Sequence, residues 1–325
     1  HGIGALCPGA SPGDLTAGWR AAAFNQGWTY RDRVPVAISG IWLSEWMATR
    51  YRHSAADVWR ARIQAGELDC NGQVLSADCW LSGAEQILWR RPPWREEAIP
   101  DRWDTLHDDG DLLVINKPSG LPVIPGGGFL RHTLTALLEP SGARPVHRLG
   151  RFTSGLQVCA RHPTTRAELS RHFRPGGRYR KVYQAWAHRV PGLELGQPWT
   201  VSTDVVERQH PLLGWIWGPE PLEREPIRKR LSARSEIKLL DRHAQGDVLA
   251  VTIETGRPHQ IRIHLAQLGS PLIGDPLYLL NREISARATP GDGGYLLHAW
   301  QLNGLNQLGG RVIEARPPAV WNQAF

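Results

Sequence analysis

Between residues 101 and 325, short apolar segments that suit β-strands outnumber helical segments, and no regular helices join them. In residues 247–254, for example, Leu249, Val251 and Ile253 alternate with other residues and share one face. Residues 112–115, 181–188 and 235–240 also suit strands, whereas residues 132–139, 164–173 and 259–268 suit helices. Parallel sheets need long crossover connections, so this pattern predicts an α+β fold with a mixed, largely antiparallel sheet and flanking helices.

The first hundred residues differ from the rest of the chain. Residues 1–38 are rich in Gly, Ala and Pro without a sustained period, which favours a loosely ordered arm. A helix is expected over residues 41–51, and a second one from Ser54, whose hydroxyl would cap it. Asn71-Gly72 predicts a tight turn between strands, and residues 90–94 a linker. We therefore expect boundaries at 1–38, 39–100 and 101–325.

The chain is basic, with a formal net charge of +7 and a pI near 9.6. This charge favours a polyanionic partner, with nucleic acid first, although general solubility is an equally simple explanation. The basic residues Arg50, Arg52, Arg60 and Arg62 lie close together and are candidates for RNA binding, although they could also form a solvated face. We expect no membrane partner, because no apolar run approaches the roughly 18 residues needed to span a bilayer.

Cysteine and histidine usage predicts neither a disulfide framework nor a metal site. The four cysteines form no CxxC pair, which favours a reduced, cytoplasmic chain. Residues 1–13 show no secretory signal. His259 and His264 are five residues apart, not the four that would place both on one helix face. The sequence also lacks a glycine loop for phosphates, so we expect no cofactor.

Three segments carry a recognisable pattern, in one order. They read HRLGRFTSG at residues 147–155, KVYQA at 181–185, and TGRPHQIRIHLA at 255–266, which is followed by GDPLY at 274–278. NKPSG at 116–120 and LHA at 297–299 flank them. Together they resemble the RluA-type pseudouridine synthases, which isomerise uridine in RNA. The resemblance covers most of residues 101–318 and implies that family's catalytic domain. Residues 39–91 resemble, in pattern, the S4-like RNA-binding module that often precedes it.

The resemblance implies a substrate and a set of roles. The substrate would be a uridine in structured RNA, ribosomal or transfer, flipped out of its stack because its reacting atoms are otherwise buried. Tyr183 would lie against the uracil, and Arg148 would fill the vacated space. Arg262 would pair with the catalytic carboxylate. The motifs place further substrate contacts at His147, Thr153, Lys181, Arg257, His259 and Gln260. Without the resemblance, the sequence alone would favour interpreting Tyr183 as a core residue and Arg262 as a surface cation.

The chain departs from the family at the position of the catalytic aspartate, where it has Gly150. Glycine has no side chain that could attack ribose C1′ or carry charge, and Arg262 would then lack its expected partner. Another acid could serve, although Asp275 has a family position of its own and Glu254, Asp109 and Asp111 are looser candidates. Alternatively, substrate groups or water substitute, or the activity is weak or absent. The competing function is that of a non-catalytic RNA-binding protein. A DNA-binding regulator would need a recognition helix, and the sequence does not indicate one.

Overall fold

The computed structural model describes residues 18–322. The first 17 residues of the expected arm, with Cys7, lie outside this range. The chain divides into two compact units. The smaller unit comprises Ala23–Glu96 and His210–Gly214, and the larger one contains the rest of the described residues.

The described residues form strands, α-helices and short 3₁₀ helices. The strands are β1 (Trp19–Arg20), β2 (Ala23–Phe24), β3 (Trp28–Arg33), β4 (Ile41–Trp42), β5 (Leu68–Cys70), β6 (Gln73–Val74), β7 (Trp80–Leu81), β8 (Gln86–Arg91), β9 (Arg95–Glu96), β10 (Ile99–Pro100), β11 (Asp104–Asp108), β12 (Leu112–Lys117), β13 (Arg144–Pro145), β14 (Ser154–Ala160), β15 (Arg180–Ala187), β16 (Trp199–His210), β17 (Gly214–Gly218), β18 (Ile227–His243), β19 (Gly246–Ile253), β20 (Leu297–Asn303) and β21 (Ile313–Glu314). The α-helices are α1 (Leu43–Arg50), α2 (Ala56–Gln64), α3 (Leu134–Leu138), α4 (Pro163–Phe173) and α5 (Gln260–Gln267). The 3₁₀ helices are Glu139–Ser141, Leu280–Arg282, Asn306–Leu308 and Ala319–Asn322.

The larger unit is built on one mixed sheet with the strand order β11-β12-β14-β20-β15-β19-β18-β16-β17. The β14–β20 pair is parallel, whereas β12–β14, β15–β19, β15–β20 and β18–β19 are antiparallel. The predicted α+β class with a mixed, largely antiparallel sheet is therefore confirmed. The long strand β16, the short strand β17 and the central strands β14 and β20 were not predicted. β14 is buried along its whole length, so it lacks the polar alternation of a half-exposed strand.

Two apolar clusters pack on this sheet. One is built around β12 and β14, with Val114 and Val158 fully buried, and the other around β19 and α5, with Leu249 and Leu265 fully buried. Burial of a side chain of this size stabilises the fold by about 1.5–3 kcal/mol. Tyr183, on β15, packs against both clusters. The sheet therefore holds this tyrosine at the boundary between its two halves.

The smaller unit has its own core, in which Met47 and Ile63 of the two helices meet Trp59 and Trp89. The tight turn predicted at Asn71-Gly72 is confirmed, because it joins β5 to β6. The prediction of a loosely ordered arm is wrong for residues 28–33, because β3 pairs along its length with β8. Trp, Tyr and Thr in β3 are strong strand formers that the surrounding Gly and Pro obscured.

Two further local predictions are wrong in this unit. Helix α2 begins after Ala55, and the Ser54 hydroxyl accepts a hydrogen bond from Arg62 instead of capping the helix. Arg62 has thus replaced the backbone N–H groups of the first helical turn as the partner of the Ser54 hydroxyl. Residues 90 and 91 belong to β8, so the proposed linker is shorter than expected. Within residues 18–322, no helix is long and apolar enough to cross a membrane.

Candidate functional site

An open pocket of about 130 Å³ lies in the larger unit, between the loop before β14 and the start of α5. It brings together eight of the predicted site residues from three separate segments of the chain. Besides Gly150, its lining includes the polar residues Arg148, Thr153, Tyr183, Arg257, His259, Gln260, Arg262 and Tyr295. Among all its lining residues there is no aspartate or glutamate.

The loop that carries Gly150 is fixed from beneath by the segment that follows β12. The ammonium group of Lys117, which is fully buried, donates hydrogen bonds to the carbonyl oxygens of Pro118, Leu121 and Arg151 at 2.9, 2.9 and 3.1 Å. Ser119 Oγ donates to the Phe152 carbonyl oxygen at 2.8 Å. Burial lowers the pKa of Lys117 to about 7. These contacts hold the backbone immediately after Gly150 in one conformation.

Gly150 does not lie in the left-handed region of backbone conformation, so a side chain here would not strain the chain. A Cβ atom added to it would point toward two hydroxyl groups, at 3.1 Å from Tyr295 Oη and 3.4 Å from Thr153 Oγ1. The shorter distance requires the tyrosine hydroxyl to move by a few tenths of an ångström. The position is therefore open to a larger residue and faces hydrogen-bond donors.

Tyr183 lies on β15 and lines the pocket where the pairing of β15 with β20 shifts register between Val182 and Tyr183. Such bulges re-aim side chains beside functional sites. Burial raises the pKa of Tyr183 to about 12, so its hydroxyl keeps its proton at neutral pH. Its ring can stack on a base, and its hydroxyl can donate a proton or a hydrogen bond.

Arg262 has a carboxylate partner, Asp275, in place of the acid at residue 150 that the resemblance implied. Its Nε and Nη2 atoms donate to the two oxygens of Asp275 at 2.7 and 2.8 Å, and both side chains are buried. Burial opposes the charge on Arg262, but the hydrogen bonds and the charge of Asp275 outweigh it and raise its pKa. The guanidinium carbon lies 4.1 Å from the centre of the Tyr295 ring. The arginine is thus held rigidly.

Asp275 is nevertheless not positioned as the missing catalytic acid. Besides the Arg262 guanidinium, it accepts hydrogen bonds from the backbone N–H groups of Leu277 and Tyr278 at 2.9 and 3.1 Å. It does not line the pocket that contains Gly150. Its oxygens are occupied by four donors, which leaves the carboxylate committed to structure.

The other candidate acids are also elsewhere. Glu254 is exposed and pairs with Arg234. Asp109 accepts hydrogen bonds from the backbone of the turn before β12, and Asp111 accepts them from the backbone of Arg161 and from Thr165. None of the three lines the pocket. The proposal that one of these acids replaces the aspartate is therefore contradicted.

His259 and Gln260 lie at the N-terminus of α5. His259 has a left-handed backbone conformation, with φ of 51°, and its Nδ1 lies 2.6 Å from Tyr278 Oη. Burial, aided by the charge of Arg262, lowers its pKa to about 3, which keeps it neutral. The Gln260 amide accepts from Thr255 Oγ1 and Arg257 N and donates to Arg234 O and Ser235 Oγ. Gln260 thus shapes the loop that carries Arg257.

His147 and Lys181 lie outside the pocket. They line an adjoining cavity of about 20 Å³ on the far side of Tyr183. His147 Nε2 accepts a hydrogen bond from Val158 N, and its ring stacks on Phe173. Burial, followed by the charge of Lys181, lowers the pKa of His147 to about 3. These two residues share that cavity with Tyr183, and the structure places neither of them against the pocket.

The four arginines proposed for RNA binding belong to the smaller unit. They differ in whether other residues hold their guanidinium groups. Arg50 pairs with Asp32 at 2.9 Å. Arg52 packs so closely on Gly214 that a Cβ there would overlap its guanidinium. Arg62 lies over the Trp59 and Trp89 rings at 4.5 and 4.9 Å. Arg60 is exposed, and among residues 18–322 no ion pair is formed with it.

Sequence reasoning missed Tyr295 and the supporting role of Lys117. Tyr295 lies two residues before Leu297, the first residue of β20, so a period of two from that strand could have placed both on one face. Lys117 gave no such signal, because a lysine after an apolar strand normally marks the return to solvent.

Comparison with known proteins indicates one family. Residues 111–267 match the RNA pseudouridylate synthase family. The chain is similar to an uncharacterized RNA pseudouridine synthase of Synechocystis, with 36% identity over 84% of this chain and 92% of that protein. It is also similar to RNA pseudouridine synthase 5 of Arabidopsis thaliana, with 30% identity over 91% and 94% of the two chains. The structure of human RNA pseudouridylate synthase domain containing 4 has the same fold, with a TM-score of 0.53 and 23% identity over 68% of this chain and 90% of that one.

Proposed function

The chain belongs to the RluA-type RNA pseudouridine synthase family, and we propose that it isomerises uridine in a structured RNA, ribosomal or transfer, at the pocket around Gly150. The single observation that carries this proposal is the geometry of that pocket. It combines a tyrosine for the base, arginines for the backbone and an ion-paired Arg262, all around one position.

The reaction breaks the bond between C1′ and N1, turns the uracil, and joins C1′ to C5. The C5 proton leaves, and N1 gains one. Tyr183 supplies a face for stacking, worth roughly 1–3 kcal/mol per base, and a protonated hydroxyl. Arg148, exposed at the pocket, fills the space that the flipped base leaves in the RNA. Arg257 lies beside it and balances a phosphate charge.

The missing element is a carboxylate beside C1′. Departure of a base leaves positive charge on the sugar, which carboxylates stabilise or capture in glycosidic chemistry. Because no acid lines the pocket, we propose that turnover by this chain is slow. The same observation favours a second candidate, a non-catalytic RNA-binding protein that holds a uridine in this pocket without isomerising it.

The smaller unit supplies further affinity for RNA in this proposal. Its S4-like pattern and the exposed Arg60 support this role, since phosphate contacts release counterions and strengthen binding. We also propose a cytoplasmic location. Cys70, Cys79 and Cys159 are free thiols, as expected in a reducing compartment.

Restoring the acid separates the two candidates. Gly150→Asp places a carboxylate beside Tyr295 and Thr153 without backbone strain, and we expect it to raise pseudouridine formation by orders of magnitude. The assay is tritium release from C5-labelled uridine in RNA from cells that lack the protein. Gly150→Asn is the matched control, because it has the same shape and no charge.

Two outcomes would count against parts of this proposal. Strong activity of the unaltered chain that Gly150→Asp leaves unchanged would show that the pocket does not need the acid. A folded Gly150→Asp protein that binds the RNA and remains inactive would overturn the isomerase assignment in favour of the non-catalytic candidate.

A further inference from the structure

The side of the pocket at Gly150 contains a space bounded by hydrogen-bond donors. A Cβ built on Gly150 points toward Tyr295 Oη and Thr153 Oγ1, at 3.1 and 3.4 Å. Tyr295 is buried, with 5% of its surface exposed, and its hydroxyl is 3.5 Å from Thr153 Oγ1, which is a weak hydrogen bond. Both hydroxyls can therefore turn their protons into this space.

The charge around this space is positive. Arg148 and Arg257 line the pocket, and within the described part of the chain no carboxylate pairs with either of them. The charge of Arg148 also contributes to the lowered pKa of His259. Arg262 adds no net charge, because Asp275 neutralises it. Two cations without a carboxylate partner thus line the pocket that contains this space, and no acid lines it.

We propose that this space is a binding site for a small monocarboxylate, of which formate is the simplest. A carboxylate has two acceptor oxygens in one plane, which suits two hydroxyl donors in a pocket that Arg148 and Arg257 also line. A free carboxylate stays at van der Waals distance from the Gly150 Cα, whereas a bonded side chain does not, so it needs more room here than an aspartate side chain would. Longer carboxylates would meet the Tyr295 and Thr153 side chains.

Binding at this site does not depend on isomerase activity, whereas its consequence for turnover rests on the proposed function. A carboxylate held here supplies a negative charge where the bond to C1′ breaks, as a fixed acid would. A small anion from solution would therefore act in place of the side chain that residue 150 lacks.

Direct binding is tested with ¹³C-formate, followed by line broadening in NMR at constant ionic strength maintained with chloride. We expect saturable binding to the unaltered protein, weaker binding of acetate and weaker still of propionate. Gly150→Asp should weaken formate binding by about tenfold or more, because its own carboxylate occupies the space and repels the anion. Asn306→Asp is the control, because it adds the same charge at an exposed residue outside the pocket.

Non-saturable broadening, or equal formate binding by the unaltered and Gly150→Asp proteins, would overturn the site. Gly150→Ala adds a Cβ without charge, and we expect it to weaken binding less than aspartate does. The matching activity assay adds formate to the tritium-release reaction. We expect turnover by the unaltered chain to rise at the concentrations that saturate binding, and that of Gly150→Asp to stay constant.

The two assays keep the two proposals apart. Saturable binding without any turnover, in the presence of formate or in Gly150→Asp, would support the site and overturn the isomerase assignment. An active Gly150→Asp protein together with an unaltered chain that binds no formate would support the isomerase assignment and overturn the site.

Discussion

The two walls of the pocket differ in how far their own residues satisfy their polar groups. On the α5 wall, Arg262 and Asp275 form a buried bidentate pair, and His259 is hydrogen-bonded to Tyr278. On the opposite wall, Arg148 is exposed, and Gly150 leaves two hydroxyls facing open space. The first wall satisfies its own polar groups and needs no partner from the second. The site can therefore keep its shape without the residue that the chemistry requires.

The largest expected effect comes from breaking the Arg262–Asp275 ion pair on the α5 wall. Asp275→Ala would leave the guanidinium of Arg262 buried without a partner, and breaking such a pair costs about 3–5 kcal/mol of unfolding free energy. Chemical denaturation measures this loss. Arg148→Ala on the other wall is the matched comparison and should change stability by less than about 0.5 kcal/mol. Equal losses would mean that the two walls do not differ in this way.

Acid should weaken the α5 wall of the pocket and the adjoining cavity that His147 lines. The folded-state pKa values of His147 and His259 are about 3, well below the usual 6.5. A depressed pKa contributes stability that is present above pH 6.5 and is lost as pH falls toward 3. Each histidine therefore adds a slope of up to about 1.4 kcal/mol per pH unit in this window. The measurement is unfolding free energy from pH 7.5 to 4.5.

His147→Gln should remove the contribution of one histidine to this slope. A slope that His147→Gln leaves unaltered would show that this histidine is not buried in its neutral form.

Tyr183 connects the two walls, and its ring and hydroxyl can be separated. Tyr183→Ala should reduce affinity for a uridine-containing RNA by about 1–3 kcal/mol, because the base loses its stacking surface. Tyr183→Phe keeps the ring and should bind almost as well. Fluorescence anisotropy measures the affinity, and far-UV circular dichroism checks the fold. Alanine binding as well as tyrosine would return Tyr183 to an ordinary core role.

The smallest expected effect lies in the smaller unit. Arg60→Glu should weaken RNA binding and reduce the dependence of log K on log salt concentration by about one phosphate contact. Arg62→Glu should act differently, because it removes the cation from the Trp59 and Trp89 rings and so destabilises that unit. Binding titrations at several salt concentrations, with thermal unfolding of each variant, test this difference. RNA binding that ignores salt would contradict the proposal for Arg60.

Features set by neighbouring residues were predictable from the sequence, such as the Asn71-Gly72 turn and the α+β class. The motif segments also located most of the pocket. The Ser54 cap failed because Arg62 offered a different partner for its hydroxyl. The Arg262–Asp275 pair was missed for a related reason. The resemblance assigned Arg262 to residue 150, and no local pattern shows that a second acid has the right distance and direction.

The parallel pair β14–β20 has a consequence for the timing of folding. It places Ser154 opposite His298, and the two side chains are hydrogen-bonded across a sequence separation of 144 residues. Thr153 immediately precedes β14 and Tyr295 shortly precedes β20, so closure of this long loop also assembles the pocket. Contacts this distant in sequence form slowly, since the entropy of the loop is lost before they are gained. During synthesis, the pocket cannot form until the ribosome has released the residues as far as Leu297.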